Sequence, residues 1–249
     1  MPWTRSSAEV IAHRGASAAA PEHTVEAFDL AVAQGADVLE LDVRPARDGE
    51  LVVIHDATLA RTAGDPRRVD QLTRLELERL APSVRPLTLG QMLGRYGDSV
   101  QLLIELKDPE PETEGLLVDS LERHGMIDAV RVQVFDALAL RRLRLRAPRL
   151  SLTSLHRRRP SARTLDTTAR LAGGVGVLHR RIDAALVSAA HARGLAISAW
   201  TVNSDAAIDR VLRLGVDGVI TDAPDVAALR AAYWSERDEV AAVPLAQAV

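Results

Sequence analysis

Eight short runs rich in valine, leucine and isoleucine recur along the chain, at 9–13, 37–43, 101–106, 130–135, 150–155, 174–178, 195–201 and 216–221, with segments of helical apolar spacing between them. This alternation is the strongest constraint on the fold. Strands separated by helices run parallel, because a crossover of about a dozen residues or more is needed to return the chain to the same end of a sheet. Helices are expected at 21–34, 89–96, 113–124, 138–146, 162–171, 184–193, 205–214 and 225–234. Gly35, Gly97, Gly125, Gly194 and Gly215 each follow such a segment, where a left-handed residue ends a helix at least steric cost. Eight strand and helix pairs in 249 residues fit an α/β chain folded as a (β/α)8 TIM barrel, one domain over 1–249. A doubly wound sheet is the alternative architecture.

One interval breaks the alternation. Asp48-Gly49 lies between Val43 and Leu51 with no room for a helix, and Asp-Gly between strand-like runs is a strong hairpin signal. Taken as a two-residue turn, it pairs Arg47 with Glu50 and Asp42 with His55. Residues 44–55 therefore read as a hairpin rising above the second strand, and 57–82 as a small, cap-like insertion with a polar helix at 73–80. From 235 to 249 the periodicity fades, and a loosely ordered tail is expected.

The charged residues gather where these strands end, which in a parallel barrel is where active sites lie. Glu40 and Asp42 are two apart on a strand and point to one face, while Leu41 packs away from it. Glu105 and Lys107 repeat that spacing at the end of 101–106. Taken singly, each acid is equally well a solvated strand end or a salt-bridge partner. Three inward carboxylates at one mouth repel one another unless a cation neutralises them, and all-oxygen ligation suits magnesium, calcium or manganese.

His13 ends the first run, with Arg14 beside it and Gly15 positioned to turn the chain sharply away. His55 lies across the hairpin. An acid and a base on opposite sides of a phosphorus are what in-line displacement requires, and Arg14 and Lys107 would offset charge on phosphate oxygens. The bland alternatives are a satisfied core histidine and a solvated barrel rim. Trp200, in Ala199-Trp200-Thr201-Val202-Asn203, is suited either to an apolar wall for a small organic group or to the core. Asp222 and Glu22, the latter expected in the first turn of a helix, are weaker candidates as caps or supports. His124, His156 and His191 have no arguable partner, and His179 is notable only for ending a strand.

Composition narrows the chemistry further. The formal charge of −3 is spread as mixed signs, which disfavours nucleic acid as a partner. There is no cysteine, so disulfides, thiolate nucleophiles and zinc–thiolate sites are excluded. Residues 1–12 carry no apolar stretch of signal-peptide length, and no run approaches the roughly 18 apolar residues of a membrane span. A cytoplasmic protein with no integral membrane segment is expected, and a homo-oligomer is compatible with the sequence. Lys107 is the only lysine in the chain.

Read together, these motifs resemble the glycerophosphodiester phosphodiesterase family. The resemblance rests on Ala12-His13-Arg14-Gly15, Pro21-Glu22-His23-Thr24, Gly35-Ala36-Asp37, Glu40-Leu41-Asp42-Val43, Asp48-Gly49, His55-Asp56, Glu105-Leu106-Lys107, Trp200-Thr201-Val202-Asn203 and Gly218-Val219-Ile220-Thr221-Asp222, in the family's order and reaching to about Ala228. It implies that Glu40, Asp42 and Glu105 ligate a divalent cation, that His13 and His55 are the acid–base pair, and that Arg14 and Lys107 hold phosphate. The implied reaction is hydrolysis of small-molecule glycerophosphodiesters, such as glycerophosphocholine or glycerophosphoethanolamine, to glycerol 3-phosphate and an alcohol. Three positions depart from the pattern: His23 stands for a usual asparagine, Ala46 for a threonine and Val134 for a serine. His23 is expected to alter hydrogen bonds at the edge of the site, and none of the three removes a ligand.

Three other readings compete. A Schiff-base lyase would use Lys107 as nucleophile, but Glu105 beside it should keep the amine protonated. A phosphate-binding module without turnover would not need two proton carriers. A related phosphodiesterase acting on lysophospholipids, of lysophospholipase D type, would be favoured by a membrane-docking segment, and none is obvious.

Overall fold

The computed structural model describes residues 7–242. The chain alternates β1 (Glu9–His13), α1 (Val25–Ala33), β2 (Val38–Pro45) and a short return strand β3 (Leu51–Val53). An excursion carrying α2 (Ala60–Ala63) and α3 (Arg74–Leu77) follows, then α4 (Leu89–Tyr96) and β4 (Gln101–Leu106). Regular alternation then resumes with α5 (Pro111–Arg123), β5 (Arg131–Val134), α6 (Ala137–Arg146), β6 (Ser151–His156), α7 (Ala162–Leu171) and β7 (Gly174–Leu178). The chain ends with α8 (Ala184–His191), β8 (Ala196–Trp200), α9 (Asp205–Arg213), β9 (Gly218–Thr221) and α10 (Pro224–Ala242). The strand order is β1-β9-β8-β7-β6-β5-β4-β2, and β1 also pairs with β2, so eight parallel strands close into a (β/α)8 barrel. The doubly wound alternative falls with that closure.

Strand alternation sorts the side chains into layers. Leu39, Leu41, Val43, Leu102, Ile104 and Leu106 point outward and pack under the helices with Phe28, Met92, Leu117 and Leu121. Val175, Val177, Ile197 and Ala199 do the same on the opposite side, against Leu186, Val187, Ile208 and Val211. Inside the barrel a smaller apolar layer of Ile11, Val38, Leu103 and Ile220 lies beneath Trp200. Above that layer the inward positions turn polar, with Glu40, Asp42, Glu105 and Gln133 all buried.

The structure corrects several local expectations. The hairpin register is Val43 opposite Val53, and the Ile54 N–H donates to the Asp42 carbonyl, so Ile54, not His55, lies across from Asp42. The cause is the turn. The Ala46 N–H donates to Glu50 and the Gly49 N–H to Ala46, which leaves Arg47, Asp48 and Gly49 as a three-residue loop with Gly49 at φ +84°. A type I turn closed by a left-handed glycine adds one residue to the loop and shifts the pairing by one. The first helix starts at Val25, capped by Thr24, instead of at 21, and Glu22 lies in the loop before it. Gly97 is right-handed, unlike Gly35, Gly125, Gly194 and Gly215.

The excursion is folded around its own small core. Leu59, Val69, Leu72 and Leu77 pack on Ala46, Val52 and Ile54 of the hairpin. Its helix spans Arg74–Leu77, shorter than 73–80, and is held by a reciprocal box: Thr73 Oγ1 accepts the Glu76 N–H, and the Glu76 carboxylate accepts the Thr73 N–H. The last helix continues to Ala242, so 235–242 are helical where a loose tail was expected. Residues 243–249 of that expected tail lie outside the described residues.

Candidate active site

Four neighbouring strands bring the charged groups together through register alone. His13 is the partner of Glu40 across β1 and β2, Asp42 is the partner of Glu105 across β2 and β4, and Glu105 is the partner of Gln133 across β4 and β5. Glu40, Asp42 and Glu105 each offer an oxygen within 4.8 Å of the others, and all three side chains are buried. Gln133 Nε2 donates to Glu40 Oε1 at 3.1 Å, and the Arg14 N–H donates to Glu40 Oε2 at 3.1 Å.

Such crowding is electrostatically expensive. Burial, and then the charge of Asp42, push the Glu40 carboxyl up to about 8. Burial and Asp42 also raise Glu105. For Asp42 burial works upward but is outweighed, and the carboxyl is held at about 2. His23 cannot supply the charge responsible, since burial drives its own pKa down to about 3 and leaves it neutral at pH 7. The effective cations are Lys107, with Nζ 2.9 Å from Asp42 and 2.5 Å from Glu105, and Arg14, with Nε 3.1 Å from Asp42. Both Asp42 oxygens are nevertheless buried without an aligned hydrogen bond. An all-oxygen cluster with two such oxygens fits a hard divalent cation.

The chain reaches this arrangement through two non-glycine residues of positive φ, Arg14 at 60° and His23 at 59°. Gly15 between them is required for space: a Cβ there would sit 2.7 Å from the Ala27 carbonyl carbon. His23 was expected at the edge of the site, but it is buried within it, where Nε2 accepts the Asp42 N–H at 3.2 Å. Histidine and asparagine both visit left-handed backbone more readily than most residues, which explains why one can stand for the other. The other two departures are structural. Ala46 lies in the core of the excursion, and Val134 faces the helix layer.

The two histidines carry matched carboxylates. His13 Nδ1 is 2.6 Å from Asp222 Oδ1, and His55 Nδ1 is 2.6 Å from Asp56 Oδ1. Both aspartates have lowered pKa values and therefore only accept, so Nδ1 carries the proton and Nε2 is left to exchange one. Their environments then diverge. Burial works to lower His13, but Asp222 and Glu40 overcome it and the net shift is upward. Burial lowers His55, and Lys107 and Arg14 add to that against the pull of Asp56.

Each support is itself held. Asp222 also accepts from Ser17 Oγ and Asn203 Nδ2, while Asp56 accepts from Arg61, which forks onto Glu22. Glu22 in turn accepts from Arg14 at 3.2 Å. The sequence carries Asp56 only within the His55-Asp56 motif, with no role of its own, and gives no site role to Gln133 or Arg61. His55-Asp56 as a dipeptide was the only available sign, because Gln133 and Arg61 join the site through barrel closure and the fold of the excursion.

A cavity of about 140 Å³ opens over these groups, and Phe135, Leu155 and Trp200 form its far wall. The Trp200 ring meets Phe135 edge to face at 5.5 Å. Lys107 is raised overall, since the neighbouring Asp42 and Glu105 outweigh burial, so it stays a protonated ammonium and the Schiff-base reading loses its nucleophile. His124, His156 and His191 bond to Ser120, Ser154 and Asp217 away from the cluster, and His179 lies in a short turn after β7.

Comparison with known proteins gives a consistent family. Residues 13–226 match the model of the glycerophosphoryl diester phosphodiesterase family. A glycerophosphodiester phosphodiesterase of Caldanaerobacter subterraneus is 31% identical over 229 residues, covering 87% of this chain and 94% of its own. A phosphodiesterase of Oleispira antarctica, solved in complex with the product sn-glycerol 3-phosphate, has a TM-score of 0.81 at 27% identity, covering 90% of this chain and 96% of its own. A glycerophosphodiester phosphodiesterase of Thermotoga maritima has a TM-score of 0.77 at 26% identity, covering 91% of this chain and 98% of its own.

Proposed function

The chain belongs to the glycerophosphoryl diester phosphodiesterase family, and on that premise we propose that it hydrolyses glycerophosphodiesters to glycerol 3-phosphate and the free alcohol with a divalent cation. The observation that carries the reading is the buried cluster of Glu40, Asp42 and Glu105 at a cavity lined by two histidines, each backed by an aspartate. The sn-glycerol 3-phosphate bound by the Oleispira antarctica relative supports the product.

Glu40, Asp42 and Glu105 would hold magnesium, calcium or manganese, which when bound supplies positive charge to the phosphate oxygens. Arg14 and Lys107, now leaning on Asp42 and Glu105, are placed to share those oxygens once the carboxylates are neutralised. His55, displaced toward the neutral form, takes the proton from the attacking hydroxyl. His13, displaced toward the charged form, gives one to the departing alkoxide as the P–O bond breaks. Water can attack directly, or the glycerol 2-hydroxyl can attack first to give a cyclic phosphate that water then opens. Both routes balance with the same two proton carriers. Trp200 and Phe135 cover the organic part of the substrate, and residues 57–82 act as a cap holding His55 and Asp56 in place. No helix among the described residues is long and apolar enough to cross a membrane. The reading keeps water-dispersed diesters as substrates and the cytoplasm as compartment.

The test is release of glycerol 3-phosphate from glycerophosphocholine, glycerophosphoethanolamine and glycerophosphoinositol, measured in EDTA and after restoring magnesium, calcium or manganese. Release that requires a cation is expected. Absence of release with every metal and every diester would sink the proposal.

A further inference from the structure

We infer that the alcohol side of the cavity is built for uncharged or anionic head groups and discriminates against quaternary ammonium, with Arg157 as the residue that sets this preference. The inference rests on the hydrolytic reading above and concerns which diesters the site prefers. His13, Arg14, His55 and Lys107 come from β1, β2 with its hairpin, and β4, which are neighbours in the closed barrel, and they are occupied with the phosphate and its protons. The head group beyond the scissile oxygen is left the remaining wall of the same cavity, formed by Phe135, Leu155, Arg157 and Trp200.

On that wall the place a cation would take is already filled. Arg157 stands with its guanidinium carbon 4.5 Å from the centre of the Phe135 ring and 5.9 Å from that of Trp200. A choline or ethanolamine group would seek the same electron-rich faces and would meet a like charge there. Arg157 makes no ion pair with a carboxylate among the described residues, whereas the next but one arginine, Arg159, is paired with Asp183. Its charge is therefore available to a ligand.

The carboxylates of the cavity do not reverse this sign. Glu40, Asp42 and Glu105 form the cation site, and Asp222 is engaged by His13, Ser17 and Asn203. A guanidinium without a carboxylate on this wall asks for an oxygen acceptor and repels a cation.

The test compares glycerophosphocholine, glycerophosphoinositol and glycerophosphoinositol 4-phosphate on the full chain with its cation. The last two differ mainly by one phosphate, so they isolate charge from size. In the native protein kcat/KM should rank inositol phosphate above inositol above choline, with about tenfold between the extremes, as a single partly screened charge contact provides. In Arg157→Gln, whose side chain is exposed, the ratio should fall to within about twofold, because the charge is lost while the aromatic pair remains. Arg149→Gln, in the loop before β6 at the other end of the barrel, controls for net charge and should leave the ratio unmoved. Equal or better use of choline by the native protein, or a ratio unaffected by Arg157→Gln, would overturn the inference. Should no diester be turned over, the hydrolytic reading fails separately. Calorimetric binding of inositol 1,4-bisphosphate against phosphocholine then decides the subsite: a preference that Arg157→Gln abolishes supports it, and equal binding refutes it.

Discussion

His13 and His55 share a cavity but stand on unlike ground. His13 ends a barrel strand, is partnered by Glu40 across the ladder, and leans on an aspartate that is itself held by Ser17 and Asn203. His55 stands beyond a three-residue strand, and its aspartate is held by Arg61 of the excursion, an exposed side chain. One histidine is fixed by the sheet and the other by an insertion with a separate small core. The difference in setting explains the difference in chemistry. Asp222 and Glu40 outweigh burial and draw His13 toward the charged form, while burial, joined by Lys107 and Arg14, drives His55 toward the neutral form.

The comparison breaks most visibly if either ring is removed. His13→Ala and His55→Ala should each lower kcat by about 10²–10⁴-fold, the usual worth of a proton carrier. A variant that loses less than tenfold in steady-state release of glycerol 3-phosphate would not be carrying a proton.

Replacing the supporting aspartates should give smaller and unequal losses. Asp222→Asn and Asp56→Asn are each expected to cost roughly 10–100-fold, as for other groups that orient a working histidine, with Asp222 at the upper end because it is tied to three partners. The pH profile separates them by sign. In the proposed acid role His13 works in its charged form, so activity should fall as pH rises through its raised pKa. Asp222 raises that pKa, so Asp222→Asn should move the alkaline limb to lower pH. In the proposed base role His55 works in its neutral form, so activity should fall as pH drops through its lowered pKa. Asp56 raises that pKa, so Asp56→Asn should move the acid limb to lower pH. In kcat/KM, movement of the acid limb by Asp222→Asn and of the alkaline limb by Asp56→Asn would exchange the acid and base roles.

The same contrast decides what was legible in the sequence. On the barrel strands the period-two pattern ties side-chain direction to position, so Glu40, Asp42, Glu105 and Lys107 could be placed on one face from spacing alone. Closing eight parallel strands then fixes which strands neighbour one another. On the hairpin that advantage disappears. Asp48-Gly49 marked the turn, but the number of loop residues depends on where left-handed backbone falls, and Gly49 closing a three-residue loop displaced His55 by one position. Pro21 to Thr24 looked like a helix start because its composition suits one, yet the chain there must wrap the site with His23 at positive φ. Gln133, Arg61 and Arg157 gave no local sign, since each acts through strands or loops distant in sequence. The fading periodicity after 234 misled in the other direction, for α10 continues to Ala242.

The central claim is a division of labour in which the barrel carboxylates hold the cation and the histidines move protons. Calorimetric titration of EDTA-treated Glu40→Gln and His55→Ala with magnesium, calcium and manganese tests it most directly. Glu40→Gln should bind the activating cation at least about tenfold more weakly than the native chain, while His55→Ala, inactive in turnover, binds it with nearly native affinity. Equal loss of cation affinity in both variants, or native affinity in Glu40→Gln, would contradict it.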